Sequence, residues 1–131
     1  MAYRNEVGGK TILLVEDDES IGELVRLVLR MTTPHRVLYA PDALQALAIV
    51  EHQIPDLLIL DYQLPYMNGL ELYDHLRTRK ALSSVPALLV SANLPREALQ
   101  ERQLSSLDKP FEVEELVQTI EELLQSAGSS H

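Results

Sequence analysis

Short, unbroken apolar runs alternate along this chain with longer stretches in which apolar residues recur at helical spacing. The runs are Thr11–Val15, Val37–Ala40, Leu57–Leu60 and Ala87–Val90. Continuous apolar segments of this length suit strands buried on both faces, as in a parallel sheet. Leu104–Leu107 is a weaker candidate, because two serines interrupt it. Between the runs the period changes. Ser20-Ile-Gly-Glu23 reads as a capping box that opens a first helix, with Ile21, Leu24, Val25 and Val28 on one face. Asp42-Ala-Leu-Gln45 opens a second helix in the same way. A third begins near Asn68-Gly69 and carries Leu70, Tyr73 and Leu76, while a fourth, near Arg96–Gln103, is short and poorly patterned. The last has the clearest period, in Val113, Leu116, Val117, Ile120, Leu123 and Leu124. Strand and helix in strict alternation predict βαβ units with right-handed crossovers, and so a sheet covered on both sides.

Length and composition narrow this picture. A chain of 131 residues suits one domain. No repeat, low-complexity tract or central linker divides it; residues 1–10 read as a flexible lead-in, 11–125 as the domain and 126–131 as a disordered tail. The absence of cysteine excludes disulfides, thiolate metal sites and cysteine nucleophiles. A formal charge of −9 opposes direct nucleic-acid binding, since a phosphate backbone would be repelled. No apolar run approaches the roughly 20 residues of a membrane span, and Met1-Ala-Tyr-Arg-Asn-Glu6 leads into no signal-peptide core. The expected location is cytoplasmic, with no membrane partner.

The candidate chemistry lies at the carboxyl end of each apolar run. Open α/β sheets bind ligands beyond the carboxyl ends of their strands, where strand order reverses. Glu16, Asp17 and Asp18 come after the first run, Asp61 after the third, Ser91 after the fourth, and Lys109-Pro110 after the weak fifth. Two carboxylates about 4 Å apart repel by roughly 4 kcal/mol at a surface-like dielectric. Several in one cleft take up protons or bind a cation. Oxygen ligands of this kind are those of magnesium. A bound divalent ion leaves one carboxylate free to attack phosphorus, Lys109 supplies a point charge and Ser91 a hydroxyl. An aspartyl phosphate is a known type of covalent intermediate.

Each residue has a plainer reading too. Asp61 alone could cap a helix, Ser91 could be a loop serine and Lys109 a surface lysine at a turn. For Asp18 and Glu19 a capping or solvated role is the better reading. Val7-Gly-Gly-Lys10 precedes the first strand instead of succeeding one, so it is no phosphate loop. His35, His52, His75 and His131 share no metal-binding spacing. Tyr62 and Tyr66 flank Asp61 and either tune access to it or only pack across the loop.

Taken in order, Ile12-Leu-Leu-Val-Glu-Asp-Asp-Glu19, Asp61-Tyr-Gln-Leu-Pro65-Tyr-Met-Asn-Gly69, Ser91-Ala92 and Lys109-Pro110-Phe111 resemble the four signature stretches of response-regulator receiver domains. The ordered set spans nearly the whole chain. The resemblance implies a flavodoxin-like (βα)5 fold with strand order 2-1-3-4-5. It implies Asp61 as phosphoacceptor and a Mg2+ or Mn2+ ion held by Asp17, Asp61 and the backbone carbonyl of Gln63, with Glu16 acting through water. Ser91 would follow the phosphoryl group and Lys109 would bridge to it. Pro65 and Gly69 would shape the loop after the acceptor, and Lys109-Pro110 would carry a cis peptide. The implied donor is a sensor histidine kinase or a histidine phosphotransfer protein, and the implied output an effector domain or a separate protein. The domain would catalyse its own phosphorylation and dephosphorylation, with no external substrate.

Three departures stand against that pattern. The stretch from Ser91 to Lys109 is about one helical turn short, so the fourth helix should be reduced. The family's switch aromatic is replaced by Ser106, and Ala43 stands where glycine is common. The altered readout favours, as an alternative, a receiver-fold interaction module that signals without phosphorylation. A magnesium-dependent phosphohydrolase is disfavoured, because Gln63 occupies the place of its general acid.

Overall fold

A computed structural model of the chain describes residues 9–129. The apolar runs become β1 (Thr11–Val15), β2 (Arg36–Ala40), β3 (Leu57–Asp61), β4 (Ala87–Ser91) and β5 (Ser105–Asp108). Between and after them lie α1 (Glu19–Thr32), α2 (Ala43–Val50), α3 (Gly69–Leu76), α4 (Arg96–Glu101) and α5 (Val113–Ser129), with a 3-10 turn at Lys80–Leu82. All pairings are parallel, in the order β2-β1-β3-β4-β5. This is the doubly wound flavodoxin-like topology, with its switch point between β1 and β3.

The central strands bury alternate residues on opposite faces. Leu13, Val15, Leu58, Leu60 and Leu89 pack with residues of α2, α3 and α4, including Ala46, Leu72 and Leu99. Ile12, Leu14, Leu57, Ile59 and Val90 pack against α1 and α5 through Val25, Leu29, Leu116 and Ile120. Burial on both faces explains why these strands read as continuous apolar runs. The weak fifth run forms the edge strand β5, one residue further on than its apolar pattern indicated.

Local details correct several expectations. The first helix is capped by Asp18, whose side chain accepts from the Ser20 and Ile21 amides, and the box centred on Ser20 does not form. Aspartate is as good a cap as serine and stands where the chain leaves β1. Leu24 is exposed, and the buried stripe of α1 runs instead through Val25 and Leu29. Asp42 caps α2, accepting from the Gln45 amide, which is one half of the box expected there. The full reciprocal box falls at α3, between Asn68 and Glu71. α4 is short, as the pattern indicated. α5 continues through Ser129, beyond the boundary expected at residue 125, because adding a residue to a formed helix gains a bond without a new nucleus. The rest of the tail, and residues 1–8 of the lead-in, lie outside the described residues.

Candidate functional site

The carboxyl ends of β1 and β3 are neighbours across the switch point, and they carry the acidic residues. One carboxylate oxygen from each of Glu16, Asp17 and Asp61 lies within 4.8 Å of the other two. Glu16 and Asp61 are buried, while Asp17 is exposed at the rim. Lys109, arriving from beyond β5, donates from Nζ to Glu16 Oε1 at 2.9 Å and to Asp61 Oδ2 at 3.3 Å. The Lys109–Pro110 peptide is cis.

Further hydrogen bonds hold each carboxylate. Glu16 Oε2 accepts from the Asp18 amide at 3.2 Å, and Asp61 Oδ1 accepts from the Gln63 amide at 3.1 Å. The Glu16 backbone is held on both sides: its amide donates to Ala40 at 3.1 Å, and its carbonyl accepts from the Tyr39 hydroxyl at 2.6 Å. Burial raises the Tyr39 phenol, which keeps it a donor at neutral pH. Ser91 is buried at the end of β4, and its carbonyl accepts from the Lys109 amide at 3.0 Å. Among the described residues, no hydrogen bond joins its hydroxyl to the carboxylates.

The loop after Asp61 is tightly shaped. The Met67 amide donates to the Pro65 carbonyl at 2.8 Å across Tyr66, whose φ is 73°, an uncommon conformation for a bulky residue. Tyr66 points to solvent, whereas Tyr62 packs against the core. Gly69 comes next with an ordinary negative φ, so freedom to turn is not its role. A Cβ there would collide with the Asp61 carbonyl oxygen and stand 3.0 Å from Tyr62 Cα. The start of α3 needs glycine to lie against the end of β3.

Electrostatics mark this cluster as short of positive charge. Burial pushes the Glu16 carboxyl up to about 7; the neighbouring Asp61 adds to the rise and the Lys109 hydrogen bond opposes it. Desolvation and then the Asp61 charge raise Asp17. Burial works to lower the Lys109 ammonium, but Glu16 and Asp61 together outweigh it and raise it. One ammonium among three carboxylates leaves an excess of negative charge. An all-oxygen donor set with that excess fits a hard divalent cation.

Of the residues singled out in the sequence, Glu16, Asp17, Asp61 and Lys109 converge, with Ser91, Gln63, Gly69 and Pro110 around them. Ser106 does not join them. It sits half-buried on β5, in register with Leu89 on the face that α4 covers. Asp18 is a cap, and buried His35 pairs with Glu121 at 2.8 Å. Tyr39 was not legible as a site residue. The one signal was a glycine, Gly22, inside an otherwise well-patterned helix.

Fold and site together define a doubly wound α/β domain with an acidic, lysine-bridged pocket at its switch point. The profile of the response regulator receiver domain family matches residues 12–121, and the chain belongs to that family. It is 32% identical to the phosphate regulon transcriptional regulatory protein PhoB of Pseudomonas aeruginosa, over 92% of this chain and 54% of that one. The chain spans about half the length of the first curated regulators it matches. Among solved structures it resembles the receiver domain of sensor histidine kinase PA1611 from Pseudomonas aeruginosa, determined with a magnesium ion coordinated in its active-site cleft. The TM-score is 0.80 at 28% identity, covering 90% of this chain and 99% of that one. The chemotaxis response regulator CheY4 of Vibrio cholerae gives 0.81 at 28% identity, covering 88% and 99%. Among the described residues, no helix is long and apolar enough to cross a membrane.

Proposed function

We propose that this receiver accepts a phosphoryl group on Asp61 and acts as a metal-dependent phosphorylation switch. The observation that carries the reading is the convergence of Glu16, Asp17 and Asp61 within 4.8 Å, bridged by Lys109. A carboxylate oxygen of Asp61 attacks phosphorus. A P–O bond forms as the donor's P–N bond breaks, and the departing imidazole keeps the electron pair and is protonated from solvent. A sensor histidine kinase or a histidine phosphotransfer protein is the donor that fits this step.

Lys109 already donates to Asp61, so its ammonium would be within reach of an oxygen of a phosphoryl group carried there. The Ser91 hydroxyl, at the end of the neighbouring strand, would follow the phosphoryl group once Asp61 is modified. Asp17 and Asp61 would hold Mg2+ or Mn2+ directly, Glu16 through water, with the Gln63 carbonyl completing the protein ligands. When bound, the ion supplies positive charge that keeps the carboxylates ionised and offsets the phosphoryl oxygens. The output passes to a partner protein or to an effector domain of the kind carried by longer regulators. No external substrate is turned over, and the charge of −9 disfavours direct nucleic-acid binding by this domain.

Intact-protein mass spectrometry after incubation with acetyl phosphate tests the reading. A gain of one phosphoryl group is expected with magnesium, and none with chelator or in Asp61→Asn. Labelling that persists in Asp61→Asn would place the acceptor elsewhere. Ser106, in place of an aromatic, favours a second reading, an interaction module that signals without phosphorylation. That reading gains if neither acetyl phosphate nor beryllium fluoride engages Asp61.

A further inference from the structure

Tyr39 lies on the edge strand β2, and its side chain serves no packing need that demands a phenol. A phenylalanine would fill the same space beneath Arg26, whose guanidinium carbon stands 4.3 Å from the ring centroid. The hydroxyl is what is specific, and it makes the 2.6 Å bond to the Glu16 carbonyl. Glu16 is thereby held by all of its polar groups. Its amide is bonded to Ala40 and its carboxylate to Lys109 and the Asp18 amide. The carbonyl that Tyr39 holds belongs to the peptide joining Glu16 to Asp17. Its orientation sets the direction in which the Asp17 side chain leaves the backbone.

The ring reaches this place only because α1 is cut away opposite it. A Cβ on Gly22 would stand 2.7 Å from Tyr39 Cε1 and 3.1 Å from Cζ. Glycine inside a helix costs about 1 kcal/mol relative to alanine, and here the space it opens is filled by the tyrosine. Arg26 then closes over the ring and donates from Nε to the Gly22 carbonyl at 3.2 Å. The hydroxyl, the helix notch and the covering guanidinium form one device aimed at a single peptide.

We infer that Tyr39, seated in the notch at Gly22, is a positioning residue that fixes the Glu16–Asp17 peptide and so sets the affinity of the acidic cluster for its divalent ion. This rests on reading that cluster as a metal site. Of the two carboxylates it orients, Asp17 depends on it more, because Glu16 is also held through its side chain whereas Asp17 is exposed. Loss of the hydroxyl therefore acts on cation binding before it acts on the acceptor itself.

The test is an Mn2+ titration of the full chain, read as loss of the free-ion electron paramagnetic resonance signal. It compares the parent, Asp17→Ala, Tyr39→Phe, Gly22→Ala and the Tyr39→Phe/Gly22→Ala double variant. Tyr39→Phe is expected to weaken binding roughly three- to tenfold, the scale of one lost hydrogen bond. Gly22→Ala should weaken it similarly by displacing the ring, yet add little to Tyr39→Phe, where no hydroxyl is left to displace. With acetyl phosphate, the magnesium concentration giving half-maximal labelling should rise by the same factor, while the plateau rate moves less. A purely structural role would lower the plateau and leave the half-maximal concentration in place. Folded Tyr39→Phe protein with parental Mn2+ affinity would overturn the role of Tyr39 alone. Parental binding that is absent, or untouched by Asp17→Ala, would overturn the metal-site reading and this inference with it.

Discussion

Gly69 carries a constraint that its own backbone angles do not reveal. The atoms a side chain would meet there are the backbone of Asp61 and Tyr62, which cannot rotate aside. Gly69→Ala must therefore push α3 away from the end of β3, at a cost of about 1–3 kcal/mol. Urea denaturation should show a lower midpoint, and acetyl phosphate labelling should slow because Asp61 moves with the strand. Unchanged stability and labelling would mean that the loop yields more easily than the geometry implies. The resemblance to the receiver signature stretches singled out this glycine as shaping the loop after Asp61. The reason for it, a close approach between elements, appears only once β3 and α3 are packed. Tyr39 is the opposite case: no local pattern marks it, because its partner carbonyl lies 23 residues away.

Among the elements, α5 and α4 are held in different ways. α5 owes its place to a continuous apolar stripe, and Ile120 is fully buried at its centre. Ile120→Ala should cost about 2–5 kcal/mol in chemical denaturation; a cost well below that would show that α5 contributes little to the core. α4 has Leu99 as its one buried residue and is tied down by charge as well. Arg102, at its end, grips Asp74 of α3 with two hydrogen bonds of 2.7 Å, and Arg96 at its start bonds Asp108 at 3.1 and 3.2 Å. The hydrogen bond from Arg102, followed by its charge, holds the Asp74 carboxyl below its ordinary value against the opposing effect of burial. A lowered folded-state value contributes stability above the ordinary carboxylate range and loses it as pH falls through the lowered value. Both groups are partly exposed and screened by solvent, so Arg102→Ala should lower stability only slightly at neutral pH. The gap between variant and parent should narrow in denaturation curves taken at progressively more acid pH. A gap that widened toward acid would contradict the pairing. The period of α5 is written locally and was legible. The charge ties of α4 join residues far apart in sequence and were not.

At the scale of the whole molecule, the proposed metal site would couple ion binding to folding. Glu16 and Asp61 are brought together only in the folded chain, so an ion bound there stabilises the fold by linkage. Magnesium at about 100 times its dissociation constant should add about 2.7 kcal/mol, seen as a higher thermal midpoint. Asp17→Ala should remove that increment, and an equal rise in the variant would place the ion elsewhere. The elements were legible because apolar period is a local property: a run buried on both faces reads as continuous, and an amphipathic helix repeats at its own period. The residues that end each strand were legible for the same reason, since a polar residue closing an apolar run is visible one position at a time. Local pattern alone thus specifies the set of elements, their alternation and the residues at their carboxyl ends. Distances among those ends belong to tertiary structure. Lys109 meets Glu16 across 93 positions of sequence and Asp61 across 48, Gly22 makes room for Tyr39, and Arg102 reaches back to Asp74. Such contacts depend on strand order and on how helices settle against the sheet, and no local period encodes either.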